Sequence, residues 1–319
     1  MQENNEKIFL LSNSSQCLFF HIKLRKRSAY IGRRLYFMAM HNKSRLLGYL
    51  PEDPIIKNPD DIDEAMAHFT VAVTHRNPTG YRAEGRLAVD KIPVLCDGNP
   101  KIMNIVKTIK KGDFVDIEGL YNVLYTEKES ICSECGQHNI KHGISCYVYP
   151  LFIQKVDPGF TEEDISFLDD GSKTIDEYLK NIYEEVSNHT LLLGYVAQVP
   201  ELMVQNCARY CISVDRKVFV PTQSTIVTDY PFVYSYGEQG ARDLKYLKEG
   251  SLIMIDGFIR NRKVKNRMEC QWCGNRYDFD DFSTEIIPYS VEYLNNIKTD
   301  TELKLEETLK KFDIYGVLF

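Results

Sequence analysis

The sequence predicts a mainly β protein built from two tandem five-stranded Greek-key barrels, with added helices and a CxxC knuckle inserted in each. Three observations carry this reading. Short stretches of alternating apolar residues recur along the chain, separated by polar and turn residues. The same layout occurs twice. In each copy a short helical segment falls between the third and fourth strands.

The duplication is visible as paired motifs. Gly112-Asp-Phe-Val-Asp-Ile-Glu-Gly119 echoes Gly250-Ser-Leu-Ile-Met-Ile-Asp-Gly257. Cys132-Ser-Glu-Cys135-Gly136 echoes Cys270-Gln-Trp-Cys273-Gly274, and Pro150 echoes Pro288. All three pairs lie 138 positions apart. Upstream, Leu46-Leu-Gly-Tyr49 echoes Leu192-Leu-Gly-Tyr195 at 146 positions, so the first copy is slightly longer there. Features sharing one offset mark a tandem repeat. The expected domains are a basic extension at 1–45, a barrel at 46–156, an acidic helical link at 157–190, a barrel at 191–294, and a helix with a tail at 295–319.

At 319 residues the chain is long enough to bury a sizeable core. No run of eighteen apolar residues occurs, so no membrane partner is expected. The first twenty residues lack a secretory pattern. Nine cysteines, four of them in CxxC pairs, fit a reducing, cytoplasmic setting better than a disulfide framework. The net charge of −6 hides an asymmetry. Residues 1–45 hold nine Lys/Arg against two Glu, whereas 157–190 hold ten Asp/Glu against two Lys. A basic arm on an acidic body fits an anion-binding protein, and equally a solvated surface element.

In order, the first copy reads as strands at Leu46–Leu50, Phe69–His75 and Leu87–Leu95. Pro93 marks the third as an edge or a bulge. A polar loop, Pro51–Ala67, separates the first two. A short helix follows at Pro100–Lys110, then a long or bent strand at Asp113–Tyr125, the knuckle, and a closing strand at Cys146–Val156. The second copy reads as strands at Leu191–Tyr195, Tyr210–Val214, Tyr230–Tyr236, Ser251–Ile259 and Thr284–Tyr293. A helix at Ala241–Lys248 precedes the fourth strand, and another is expected at Asn296–Phe312. This is the order of the OB barrel, whose face and loops suit oligonucleotides.

Candidate site residues cluster in the second copy. Tyr230, Phe232, Tyr234 and Tyr236 recur every second residue, which puts them on one face of a strand. Stacking on such a face binds bases without reading sequence. The alternate set, Pro231, Val233 and Ser235, is then the core side. Arg216, Lys217, Arg260, Arg262 and Lys263 are candidate phosphate contacts, read against an ordinary solvated loop. The first copy lacks a ladder; its candidates are Arg76, Arg82, Arg86, Tyr121 and Tyr125, with Tyr81 nearby.

CxxC followed by Gly chelates metals, since two thiolates at that spacing take two corners of a tetrahedral zinc. Zinc needs four ligands, and two completions exist. Cys132 and Cys135 join Cys270 and Cys273 in one shared structural site, or the first copy completes its own with Cys146 and His138 or His142. No Cys or His follows Cys273, which favours the shared site. A redox pair or a metal-free turn is the third reading. No phosphate loop, nucleophile elbow or His-Glu-x-x-His occurs, so the chain is not expected to be an enzyme.

On Leu193-Gly-Tyr-Val196, Asp229–Gly237, Tyr246-Leu-Lys-Glu-Gly250, Ile255–Lys263, Arg276-Tyr277 and Thr284-Glu-Ile286, the second copy resembles the bacterial single-stranded DNA-binding protein family. The first copy is similar through Leu47-Gly-Tyr-Leu50, Phe69–Val73, Lys111-Gly112 and Ile117-Glu-Gly119. The chain departs from that family in carrying two barrels and two CxxC pairs. The resemblance implies OB barrels that bind single-stranded DNA with little sequence preference in replication, repair, recombination or transfer, with Tyr230 and Tyr236 at aromatic positions. It also implies homo-oligomers and replication or recombination proteins as partners. The alternatives are a scaffold of degenerate barrels that docks replication proteins, or a single-stranded RNA-binding protein.

Overall fold

The computed structural model describes residues 42–61, 64–78, 86–156, 188–203, 207–216, 218, 220 and 227–314, with side chains of the last helix described to 309. The basic extension before 42, the acidic link at 157–187 and the tail after 314 lie outside the described residues.

The first copy contains β1 (Asn42–Tyr49), β2 (Ile55–Lys57), β3 (Met66–Arg76), β4 (Leu87–Asp97), α1 (Pro100–Val106), β5 (Phe114–Ile131) and β6 (His138–Val156). The second contains β7 (Asn188–Met203), β8 (Cys207–Asp215), β9 (Thr228–Asp229), β10 (Phe232–Tyr236), α2 (Gly237–Tyr246), β11 (Leu252–Glu269) and β12 (Arg276–Asn295), followed by α3 (Asp300–Ile314). The described residues pack as two compact units. One comprises the described parts of 41–123, 146–262 and 283–319, the other Leu124–Ser145 with Lys263–Phe282.

The larger unit holds both barrels. In the first, neighbours run β1-β3-β4-β6-β5 and close on β1; in the second, β7-β8-β10-β12-β11 close on β7. The third and fifth strands of each barrel pair in parallel, at Val94↔Val148 and at Val233↔Ile286. This is the five-stranded Greek-key OB topology. The alternation follows from burial. Leu46, Val71, Val73, Ile92, Ile117 and Val148 fill the first core, and Leu192, Ile212, Val233, Ile253, Ile255 and Ile286 fill the second. Pro93 sits within β4, opposite Thr70 on β3. The other neighbour of β4 meets it at one parallel pair only, so a missing N–H is tolerated there.

Closure needs glycine. Where β7 meets β8, a Cβ on Gly194 would lie 2.4 Å from the Ser213 carbonyl oxygen; where β1 meets β3, one on Gly48 would lie 2.2 Å from that of Ala72. These are the glycines of the Leu-Gly-Tyr motifs.

The two barrels share one ladder through β1 and β7. The antiparallel register pairs Ser44 with Thr190, Asn42 with Leu192 and Leu46 with Asn188. Every pair is symmetric about Ser44 and Thr190, whose hydroxyls meet at 3.0 Å. Equivalent contacts repeat on either side. Asn42 exchanges two hydrogen bonds with the Tyr121 backbone, and Asn188 does the same with Ile259. Lys43 pairs with Glu118, and His189 with Asp256.

The strands exceed their expected lengths. Ile55–Lys57 forms a strand inside the expected Pro51–Ala67 loop, and the basic run Arg260–Arg267 is strand rather than loop. Its charges are balanced across the hairpin, Lys263 by Asp280 and Arg267 by Asp278. Such cross-strand pairs stabilise a sheet without the apolar alternation that marks a strand in sequence.

The third helix begins with a reciprocal cap. The Thr299 backbone N–H and hydroxyl both donate to Glu302, whose N–H donates back to the Thr299 oxygen. Lys248 adds an ion pair to the same carboxylate, and these donors hold the Glu302 carboxyl down at about 2. A depressed carboxyl contributes stability that is complete above its ordinary value and lost as pH falls toward the folded one. The start of α3 is therefore expected to loosen between pH ~4.5 and ~2. Thr299→Ala is expected to cost about 1 kcal/mol locally. Amide exchange over 300–309 checks both; unchanged protection in the variant would rule the cap out as the anchor.

Candidate nucleic-acid interface and metal centre

β10 presents two faces. Pro231, Val233 and Ser235 are buried, with Val233 and Ser235 fully inside the barrel. Phe232, Tyr234 and Tyr236 alternate with them and are half-buried, as is Tyr230 just before the strand. Opposite, β8 pairs Arg209 with Tyr234. The Arg209 guanidinium carbon lies 4.2 Å from the Phe232 ring centre and 6.0 Å from that of Tyr234. Arg209 was not among the expected residues. Its signal was the lone cation in Cys207-Ala-Arg-Tyr-Cys211, where the four other residues are buried and Arg209 is half-buried.

At the other end of the strand, Arg260 on β11 donates to the Tyr236 hydroxyl at 2.9 Å. Burial pushes the Tyr236 phenol up to about 12, so it stays neutral near any phosphate. Arg260 is held by Glu285 on β12 at 2.6 Å, and Arg262 donates to the other carboxylate oxygen at 2.9 Å. Ser283 donates to the same oxygen as Arg262 at 2.8 Å. Glu285 is 1% exposed, so its carboxylate is the buried counter-charge of Arg260 and also anchors the exposed Arg262. The Thr284-Glu-Ile286 motif thus supplies an internal anchor for the ladder.

This corrects part of the expected phosphate set. Arg260 is buried in its pair with Glu285 and is not a surface cation. Arg216 is also buried, bound to Asp229, whose Oδ1 accepts the Val123 N–H from β5 at 2.8 Å. Both charges serve the fold, because partners 25 and 13 residues away neutralise them. Tyr121 is fully buried, and its hydroxyl donates to the Thr284 carbonyl at 2.9 Å, so it offers no stacking face.

Arg262 and Lys263 are exposed, as are Arg76 at the end of β3 and Arg86 before β4. Tyr125 is 40% exposed in the smaller unit. Tyr81, Arg82 and Lys217 lie outside the described residues.

The smaller unit brings the two knuckles together. The sulfurs of Cys132, Cys135, Cys270 and Cys273 all lie within 4.8 Å of one another. Cys132 meets Cys273 at 3.7 Å, and Cys135 meets Cys270 at 3.6 Å. Four thiolates ~2.3 Å from a central tetrahedral ion have about this spacing, so the residues fit a metal. Each knuckle turns on a left-handed glycine, Gly136 with φ +69° and Gly274 with φ +72°.

Asn139 donates to the Cys270 sulfur at 3.5 Å and accepts from the Gln271 N–H at 3.0 Å. Burial raises the Cys270 thiol, but the Cys273 and Trp272 amides and Asn139 bring it down to about 6. Cys132 is lowered with it, whereas the facing thiols push Cys135 up and Cys273 up to about 12. The competing completion does not form among the described residues: His138 faces Glu129 at 2.6 Å, His142 faces Glu127 at 3.7 Å, and Cys146 is outside the cluster.

Among the described residues no helix is long and apolar enough to cross a membrane. No family model matches the chain. A single-stranded DNA-binding protein 1 of Staphylococcus aureus MSSA476 is 28% identical over 117 residues, which is 35% of this chain and 69% of that protein. A namesake from strain Mu50 is 29% identical over 111 residues, 34% of this chain and 65% of that protein. Among solved structures, the wild-type single-stranded DNA binding protein of Thermus aquaticus aligns with a TM-score of 0.50 at 14% identity, covering 82% of this chain and 97% of that one. The last likeness bears on the fold; the sequence matches bear on kinship. Together with the paired OB barrels they support the resemblance read from the residues: the chain is similar to the bacterial single-stranded DNA-binding proteins, with two barrels in one chain.

Proposed function

We propose that this chain binds single-stranded DNA on the half-exposed face of β10, coating strands or handing them over in replication, repair, recombination or transfer. The observation that carries this is the division of β10: Val233 and Ser235 form the core, which turns Phe232, Tyr234 and Tyr236 to the opposite, half-buried face. Arg209 lies over that face, and Arg262, Lys263 and, more weakly, Arg76 and Arg86 supply exposed positive charge. The organisation is two OB domains, 46–156 and 191–294, with binding rather than catalysis as the task in a reducing cytoplasm. The four cysteines hold one structural zinc, whose contribution is to tie two hairpins together; four protein ligands leave it no open position.

Anisotropy of labelled oligo-dT, with an RNA strand and a duplex alongside, tests the reading at two salt concentrations. Preference for the DNA strand and affinity that falls as salt rises are expected. Tyr234→Ala is expected to weaken binding by about 1–3 kcal/mol, the worth of one stacked base. An RNA preference would transfer the same surface to RNA. Absence of binding at micromolar protein would sink the proposal.

A further inference from the structure

The second knuckle carries a side chain that its own unit leaves in water. Trp272 is the only tryptophan in the chain and is 71% exposed, in the turn between Cys270 and Cys273. The turn beneath it is held. Gly274 N–H donates to the Cys270 carbonyl at 2.9 Å, and Gln271 N–H donates to Asn139 at 3.0 Å. The indole is thus displayed on an anchored backbone.

The matching position in the first knuckle is Glu134, which is exposed and acidic. This difference parallels the one between the barrels, since β4 has Pro93 and Leu95 where β10 has Phe232 and Tyr234. In both units the second copy carries the flat apolar rings. On the strands either side of the turn, the Arg267 and Arg276 side chains are 77% and 73% exposed. They pair with Asp278 and Glu269, which are themselves half-exposed. Exposed ion pairs are weak, so a phosphate can take over those guanidiniums.

We infer that Trp272 is a second stacking platform, which takes one base of the bound strand while Arg267 and Arg276 meet its phosphates. The inference rests on the proposed single-strand binding. Indole offers the largest π face among side chains, and stacking needs only an exposed, positioned ring.

Because tryptophan occurs once, its emission reads this position alone. The full chain is titrated with long oligo-dT while Trp272 emission and its quenching by acrylamide are followed. In parallel, anisotropy gives the affinity of wild type, W272A and W272F for the labelled strand. Binding is expected to change the emission and shield it from acrylamide. W272A is expected to weaken binding about five- to tenfold, toward the low end of the range for one stacked base. W272F is expected to recover most of that loss. Tight binding with unchanged emission, and W272A equal to wild type, overturns the inference and leaves the ladder standing. No anisotropy change in wild type overturns both.

Discussion

Replacing Glu285 by alanine is expected to lower the unfolding free energy by about 3–5 kcal/mol, the largest effect of any single side chain in the interface. The Arg260 side chain is 7% exposed, and Glu285 is its buried counter-charge. Removing the carboxylate leaves the Arg260 guanidinium in the fold without a counter-charge, and takes the anchor from the half-exposed Arg262 beside it. Breaking a buried pair costs more than the pair contributes, because the remaining charge loses its counter-charge while it stays out of water. Glu285→Gln keeps one acceptor oxygen and is expected to lose about half as much, near the worth of charged hydrogen bonds. Urea titration measures both; the midpoint is expected to fall while the slope stays constant. A loss below ~1 kcal/mol would mean that water reaches Arg260 and that the carboxylate is not its essential partner. The variant also removes the carboxylate that holds Arg260 against the Tyr236 hydroxyl, so weaker DNA binding is expected to accompany the lost stability.

The second large effect is expected from removing the proposed zinc. The smaller unit has little core: Cys132, Cys270 and Tyr277, with Met268 and Phe279 packed on them. Two-stranded hairpins are marginal in water by themselves. A structural zinc in small peptides contributes on the order of 10–16 kcal/mol of apparent binding energy at neutral pH, so here it dominates. Titrating the thiols with a mercurial is expected to release about one zinc per chain, as the four-ligand rule requires. Amide exchange over 124–145 and 263–282 is then expected to rise steeply while the barrel strands keep their protection. Cys270→Ser is expected to reproduce both results. Full protection in metal-free protein would assign the four cysteines to a different role.

Much of this was legible in the chain. The repeat offsets, the helix between the third and fourth strands, and the alternation at Tyr230–Tyr236 are local signals, and local signals survive in sequence. The four-cysteine cluster was legible for another reason: the second knuckle has no later Cys or His, which favoured a site shared with the first. What stayed hidden was the fate of charges. Arg216 and Arg260 look like solvated cations until Asp229 and Glu285 arrive from other strands to bury them. Tyr121 looks like a stacking residue until the barrel closes over it. Arg209 went unnoticed because one cation among apolar neighbours is ordinary, and only the β8–β10 register lays it over Phe232. The ends of β11 and β12 were hidden too, because their pairing is ionic and leaves no apolar period.

The symmetric register of β1 and β7 has a genetic consequence. When two identical barrels meet through the same strand in a dimer, one gene encodes both, and every substitution appears twice. Here a single reading frame encodes the two partners separately, so a mutation reaches one barrel and spares the other. Selection can then keep the shared strands complementary, as Ser44 and Thr190 remain, while one half gains aromatic rings and the other sheds them. Joining the halves in one chain freed each of them to specialise.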